Sequence, residues 1–347
     1  MSVRQIAQLA GLSPSAVSLA LRDSPKIPAA TRRRVLRLAR RLGYRPNAKV
    51  NELMSQLRLN RVQETQACLG VISLYDDPQP WKKSLHLSRI HDHMVRRAEF
   101  FGYRLEPLWL REPGMTPRRF SDILDARGIQ GLLCFGGPDL NQELPPELDH
   151  FAIVSQGLSI KTPMHRVMSH VYNDMWRALD QVYRLGYRRP GLVIGRYEDI
   201  RSAHAHFCVY LGWCQYTLGA PTAIPVLQLE RVEEEPLMRW LGHHRPDVLV
   251  FVHYYDVLRE FDAVLRRRRL RVPRDLGVVV MSQILEGTRF SGLQENQRLL
   301  GDWCVELLMA RIMSRDFARP THPRIEMVER EWIEGRTLRR QGKSTST

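Results

Sequence analysis

Apolar residues in the first 46 positions recur at helical spacing in three short runs. Ile6, Leu9 and Ala10 share one face of a first helix. Val17, Ala20 and Leu21 share a face of a second that runs to about Leu21, and Val35, Leu38, Ala39 and Leu42 line a third from roughly Ala29 to Leu42, stopping at Gly43. The local signals agree with that division. Ser2 and Gln5 form a capping box, Gly11 marks a tight turn, and Ser13 is a good N-cap with Pro14 at the first helical position. Two short helices joined by a tight turn, with a third packed behind them, outline a helix-turn-helix. The second helix then presents Ser15, Ser18, Leu19 and Arg22 outward.

Residues 47–66, NAKVNELMSQLRLNRVQETQ, predict a linker helix capped by Asn47, with an apolar stripe of Val50, Leu53, Met54 and Leu57. From Ala67 the pattern changes to strands alternating with helices. ACLGVISLY is a buried strand, Leu87 to Phe101 an amphipathic helix ending at Gly102, and YRLEPLWL, GIQGLLCFGG and HFAIVSQG are further strands. A second series follows: helix Asp174 to Leu185, strand RPGLVIG, helix Ser202 to Leu218, short strand AIPVLQL, strand PDVLVFVH, helix Val257 to Arg269 and strand DLGVVVM. Such alternation implies parallel sheets with right-handed crossovers. Two series imply two lobes with a cleft between them, and the helix Leu300 to Met313 returns to the first. The expected division is a headpiece at 1–46, a hinge at 47–66 and a core at 67–347. Within the core, the first lobe takes about 67–168 and a returning segment of about 290–325, and the second takes about 169–289 and the C-terminal segment.

Charge adds a partner to this picture. Residues 1–61 hold thirteen Lys and Arg against Asp23 and Glu52, so they carry most of the +15 formal charge of the 347-residue chain. A basic helix-turn-helix of this size is the electrostatic footprint of phosphate binding, and the reading is a DNA-binding headpiece. Five cysteines without a CxxC pair favour reduced thiols over bridges or zinc. No signal peptide is expected before the first helix, and runs such as LGVVVM are too short to span a bilayer, so the expected location is the cytoplasm, away from membranes.

The spacing of IAQLAGLSPSAVSLAL, the segment TRRRVLRLARRLGYRPN and the linker after it resemble the LacI/GalR family of transcriptional regulators. More weakly, RLGYRRPGLVIG, RVPRDLGVVVM, SGLQENQRLLG and EMVEREWIEGRT extend the resemblance through the core. It implies an α/β protein: an N-terminal three-helix helix-turn-helix headpiece plus a two-lobed, periplasmic-binding-protein-like core of doubly wound parallel sheets. It also implies that the second helix enters the major groove, placing Pro14, Ser15, Ser18 and Leu19 near base edges and Arg22 and Lys26 near the backbone or flanking bases, with Tyr44 and Asn47 also at the DNA. Leu19 stands where members often carry a long polar side chain; it can pack on a thymine methyl. The linker corresponds to a hinge helix whose leucine, here Leu53, wedges into the minor groove at the operator centre. The implied assembly is a homodimer on a pseudo-palindromic double-stranded DNA operator, with residues near Leu87 to Phe101 at the dimer interface.

Ligands of such sheets bind at the carboxyl ends of the strands, which in a two-lobed core is the cleft. The candidates there are Tyr75, Asp76, Ser155, Asn173, Arg201, His253, Asp256, Ser282 and Glu295, with Gln156 and Tyr254 beside them. Arg201 aligns with a family arginine that clamps ligand. Ser155 and Ser282 stand where sugar-binding members place carboxylates, so a sugar, a more apolar ligand, an anion held by Arg201 and no ligand at all stay open. Nothing suggests an enzyme, a cofactor or a metal: the chain lacks GxSxG, P-loop and GxGxxG signatures, and the pairs His91/His93 and His204/His206 point to different helix faces. The Arg266–Arg269 run suits a solvated helix end. Two readings remain: a regulator, acting as a repressor, controlled by a small molecule in the cleft, and a DNA-binding regulator whose core has lost that sensing and answers to a protein partner.

Overall fold

The structure, a computed structural model, describes residues 3–21, 27–42, 67–137, 139–219, 224–253, 255–281 and 287–341. The chain forms two compact units, residues 1–65 and 66–347. Outside the described residues lie the expected hinge segment with Asn47 and Leu53, and also Ser2, Arg22, Lys26, Tyr44, Tyr254 and Ser282. Of Pro14, Ser15, Ser18 and Asp256 only the helical backbone is described.

In the first unit, α1 (Val3–Ala10), α2 (Pro14–Leu21) and α3 (Ala29–Arg41) enclose a small core of Ile6, Ala7, Val17, Ala20, Val35 and Ala39. Gly11 turns the chain with φ +61°, a conformation that costs a residue with a Cβ. The Ser13 hydroxyl caps α2 by accepting from the Ala16 N–H at 3.2 Å, and Arg34 of α3 donates to the Ala10 carbonyl at 2.8 Å, closing the end of α1. One expectation fails here. Leu9 does not face the core; it is 64% exposed and Ala7 takes its place. At 100° per residue the buried arc runs from Ile6 through Ala10 to Ala7, and Leu9 lies about 110° from its centre.

The second unit contains two six-stranded sheets. Along the first, the order is β2 (Tyr103–Trp109), β1 (Ala67–Ser73), β3 (Gly131–Phe135), β4 (Ala152–Gln156), β5 (His165–Ser169) and β11 (Ile325–Val328), all parallel. Along the second it is β7 (Leu227–Leu229), β6 (Pro190–Gly195), β8 (Val248–Val252), β9 (Gly277–Val280), β10 (Ser291–Gln294) and β12 (Glu331–Ile333), parallel except for the β10–β12 pair. The central strands β3, β4, β6, β8 and β9 are buried along their whole length, which is why they read as continuous apolar runs.

Helices cover both sheets. In the first lobe α4 (Leu85–Phe100) packs beside α11 (Gln297–Ser314) through Ile90, Met94, Leu300, Cys304 and Leu308, while α5 (Pro117–Ala126) covers the other face with Phe120 and Leu124. In the second, α6 (Val171–Arg184) and α8 (Ala205–Leu218) pack on one face around Trp213 and Tyr210. On the other face, α9 (Glu234–His244) and α10 (Tyr255–Arg267) enclose Leu237, Phe261 and Phe251.

The structure departs from the sequence reading in three respects. Ser291–Gln294, expected in the first lobe, is β10 of the second sheet, where Gly292 lies so close to β9 that a Cβ would meet the Val280 carbonyl oxygen at 1.9 Å. The crossing therefore begins at Glu295. The helix expected from Ser202 to Leu218 starts later, at Ala205: residues 196–201, read as loop, form α7 (Arg196–Arg201), and a turn whose Ala203 and His204 have φ of 51° and 60° separates it from α8. Strands β5, β11 and β12 were not expected, since HRVMS, IEMV and EWI are short and mix polar with apolar positions. The chain thus passes between lobes three times, after β5, after β10 and after β11, with Ser169, Glu295 and Arg330 at those crossings.

No helix among the described residues is long and apolar enough to cross a membrane. All five cysteines are free thiols. The run Arg266–Arg268 is engaged by Asp262, Glu234 and Glu235 at the end of α10.

Candidate functional site

The C-terminal ends of the core strands open onto a pocket enclosing about 610 Å³, part of it open to solvent. The first lobe supplies Gln156, Leu158 and Met168; the second supplies Val171, Val252 and Met281. Polar chemistry comes from the α7–α8 segment (Glu198, Arg201, Ser202, His206), from His253 at the end of β8, and from all three crossings through Ser169, Glu295 and Arg330.

The crossings are tied together by a buried ionic cluster. The Ser169 hydroxyl donates to Glu295 Oε1, and His86, at the start of α4, places Nδ1 3.2 Å from Glu295 Oε2. Arg330 lies between two carboxylates, with Nη2 3.6 Å from Glu295 Oε1 and Nε 3.8 Å from Asp174 Oδ2 in α6. Arg177 adds a second cation to Asp174 at 3.5 Å and donates to the Arg330 carbonyl at 3.0 Å. Burial by itself would raise the Glu295 carboxyl, but His86, Arg330, the Ser169 hydroxyl and Arg201 together hold it below its ordinary value. Asp174 goes the other way: burial raises it despite Arg330 and Arg177. Burial likewise lowers His86, against the pull of Glu295.

The turn between α7 and α8 shapes the opposite wall. Asp199 is buried and holds the left-handed turn, its carbonyl accepting from the His204 N–H at 2.8 Å and from the Ser202 hydroxyl at 3.0 Å, and its carboxylate meeting His204 Nδ1 and Gln228 Nε2 at 2.9 Å each. Two consecutive residues with left-handed φ store strain that these contacts hold in place. The turn carries Ser202 and His206 into the pocket wall, with His206 Nδ1 3.2 Å from the Ser202 hydroxyl. Burial, then Arg330 and Arg201, push His206 down to about 3, so its ring is neutral. Glu198 lies 3.4 Å from His253 Nδ1. Across the cleft, Tyr197 of the second lobe donates to the Gly137 carbonyl of the first at 3.2 Å.

Of the nine cleft residues expected from sequence, Arg201, His253 and Glu295 line this pocket. Tyr75 is half-buried and not part of its lining; burial and Tyr197 raise its hydroxyl to about 12 against the influence of Arg201. Three others are elsewhere. Asp76 has its side chain 87% exposed and pairs with Arg111. Asn173 faces outward and donates to Glu329 at 3.0 Å. Ser155 is fully buried and does not line the pocket: it donates to the Gly157 carbonyl and accepts from Arg166, whose guanidinium also holds the Ile160 and Thr162 carbonyls. A serine at the end of β4 therefore serves the loop after it. Asp256 and Ser282 fall outside the described side chains. Sequence reasoning missed Ser169, Glu198, His206 and Arg330. Glu198 and His206 were hidden in what read as loop and helix, and Ser169 ends, and Arg330 follows, a strand too short to signal itself.

On the headpiece, α2 presents Leu19 half-buried, and positions 14, 15 and 18 are on its helical backbone. Among the described residues no cluster of His, Cys, Asp or Glu could hold a metal.

Residues 2–47 match the family model of bacterial regulatory proteins, lacI family, and residues 179–338 match that of a periplasmic binding protein-like domain. A stretch of 53 residues is 45% identical to the HTH-type transcriptional regulator AglR of Rhizobium meliloti (strain 1021), spanning 15% of this chain and 15% of that regulator. Similar folds include the Lac repressor dimer bound to operator and the anti-inducer ONPF, with TM-score 0.60 and 14% identity over 97% of this chain and 98% of that one. The complex of the transcriptional regulator CelR with cellobiose has TM-score 0.58 and 17% identity, covering 97% and 99%. A periplasmic binding protein/LacI transcriptional regulator from Alkaliphilus metalliredigens QYMF with D-xylulofuranose has TM-score 0.57 and 13% identity, covering 78% and 98%.

Proposed function

We propose that this chain is a DNA-binding transcriptional regulator of the lacI family, with a helix-turn-helix headpiece and a periplasmic-binding-protein-like core, acting as a homodimeric repressor gated by a small molecule in the core cleft. Its headpieces read the two halves of a pseudo-palindromic operator through α2, with Pro14, Ser15, Ser18 and Leu19 at the base edges. The basic residues around them, Arg22 and Lys26 included, engage phosphates, Tyr44 and Asn47 complete the contact, and Leu53 wedges the central step open. It works in the cytoplasm.

The observation that carries the gating is the composition of the cleft: Ser169, Glu295 and Arg330, one from each crossing, line the pocket that a ligand would fill. A molecule seated there touches the three segments about which the lobes turn, so it can favour one lobe angle over another. About 1 to 3 kcal/mol of differential affinity gives useful control of DNA binding. Folds of this kind in the CelR–cellobiose and D-xylulofuranose complexes support a sugar-like effector.

Selection of random duplex DNA by the full-length protein tests the reading. Enrichment of a pseudo-palindrome, weakened far more for Leu53→Ala on that site than on random DNA, supports it; no enriched motif overturns it. A thermal-shift panel of metabolites tests the gating, because a ligand of the folded core raises its Tm. If none does and DNA binding changes only with a protein partner, the core has lost small-molecule sensing.

A further inference from the structure

We propose that the cleft takes a small hydroxylated carboxylate, a sugar acid rather than a neutral sugar, with its carboxylate received by Arg330 Nη1 and one of its hydroxyls donating to His206 Nε2. The inference rests on the reading of the cleft as the effector site and names the ligand class.

Among the described residues, Nε2 of His206, a residue 4% exposed, and Nη1 of Arg330, a residue 6% exposed, are buried polar atoms of the pocket wall with no hydrogen-bond partner. Leaving such groups unpaired is costly, so a ligand that pairs them gains affinity. Their hydrogen-bonding senses differ. The Ser202 hydroxyl proton is directed to the Asp199 carbonyl, so the Ser202 oxygen accepts from His206 Nδ1–H, and Nε2 of the neutral ring carries the lone pair. It asks the ligand for a donor, which a hydroxyl supplies. Arg330 has its Nε and Nη2 turned to Asp174 and Glu295, and Nη1 remains a charged donor that asks for an acceptor.

The charge around His206 decides what kind of acceptor. Arg330 and Arg201 are both near enough to lower this ring, so two cations stand beside it, with Asp174 and Glu295 set against Arg330. A charge-assisted bond to a carboxylate is stronger than one to a neutral hydroxyl. A phosphate dianion fits less well: it brings a second charge into a wall that already holds two carboxylates, and one orphan guanidinium nitrogen cannot serve three oxygens. The other walls suit a polyol chain, with Glu198, Gln156 and Ser169 for hydroxyls and Met168, Val252 and Met281 for its carbon faces.

Calorimetric titration of the full-length protein checks this with D-gluconate, D-galactonate, D-glucuronate and D-galacturonate, each against D-glucose or D-galactose and against glucose 6-phosphate. At least one acid should bind about tenfold or more tightly than its neutral parent and than the phosphate. His206→Phe keeps a buried ring but removes the acceptor, and should weaken that acid by about tenfold with the protein still melting cooperatively. Arg330→Gln should erase the preference for acid over parent; if it fails to fold, the His206 variant and the acid-to-parent ratio still decide. Neutral sugars binding as well as their acids, or the phosphate binding best, overturns the ligand class and leaves the gated regulator standing. Binding by no compound overturns the ligand class and also weighs against gating by sugars.

Discussion

The main-chain N–H of Arg330 donates to Oδ1 of Asp174 at 3.1 Å, and its side chain lies between the same carboxylate and Glu295. The third crossing is thereby tied to the first helix of the second lobe and to the second crossing. Removing one partner of such a buried set strands the others without compensation. Arg330→Met should lower core stability by about 3 to 5 kcal/mol, and Asp174→Asn, which keeps an acceptor for the Arg330 N–H, by about 1 to 3 kcal/mol. Urea denaturation measures both; equal, small losses would mean the cluster does not hold the crossings.

The neutral state of His206 sets a response to acid. Its pKa in the folded protein is pushed down to about 3, by burial first and then by Arg330 and Arg201, while an unfolded histidine takes its proton near pH 6.5. Between those values the unfolded chain binds the extra proton, so stability is complete above pH 6.5 and falls as the pH drops toward 3. His206 alone contributes a slope of up to about 1.4 kcal/mol per pH unit in that window, and His86, also lowered, adds to it. His206→Phe should flatten the fall of the urea midpoint between pH 6 and pH 4, and an unchanged slope would assign the acid response elsewhere.

Gly292 marks the closest approach of β10 to β9. A Cβ there would sit 1.9 Å from the Val280 carbonyl oxygen and 2.8 Å from the Val280 nitrogen, both backbone atoms that cannot swing aside. Gly292→Ala should cost about 3 kcal/mol or more and lower the thermal midpoint of the core. A midpoint within a degree of the parent would show that the strand edge gives way.

Ser155 gives the opposite kind of test. Its hydroxyl is occupied by the Gly157 carbonyl at 3.2 Å and by Arg166 at 3.3 Å. Ser155→Ala should cost about 1 kcal/mol of core stability and leave effector affinity unchanged. Loss of affinity with unchanged stability would return Ser155 to the ligand.

In the headpiece, Gly11 has open space around its missing Cβ but a φ of +61°. Gly11→Ala should therefore destabilise the headpiece by about 1 to 2 kcal/mol through backbone strain alone. Protease sensitivity of residues 1–65 should rise and operator affinity fall, while the core melts as before.

Periodicity and charge by themselves determined the headpiece, because a helix-turn-helix is local: Ile6, Val17, Val35 and the caps at Gly11 and Ser13 lie within one short stretch, and the basic residues sit beside them. The alternation of β3, β4, β6, β8 and β9 with helices was legible for a similar reason, since buried parallel strands are continuous apolar runs. Only the tertiary structure decided the cleft. Ser169, Glu295 and Arg330 are brought together from positions more than a hundred residues apart or across separate sheets, and each ends or follows a strand of four or five residues with little pattern of its own. His206 reached the wall because Asp199 holds a left-handed turn where the sequence reads the start of a helix. Ser155 left it because Arg166, eleven positions later, claims its hydroxyl. Local pattern reports which residues are buried; which buried polar groups meet depends on chain crossings that no window of sequence contains.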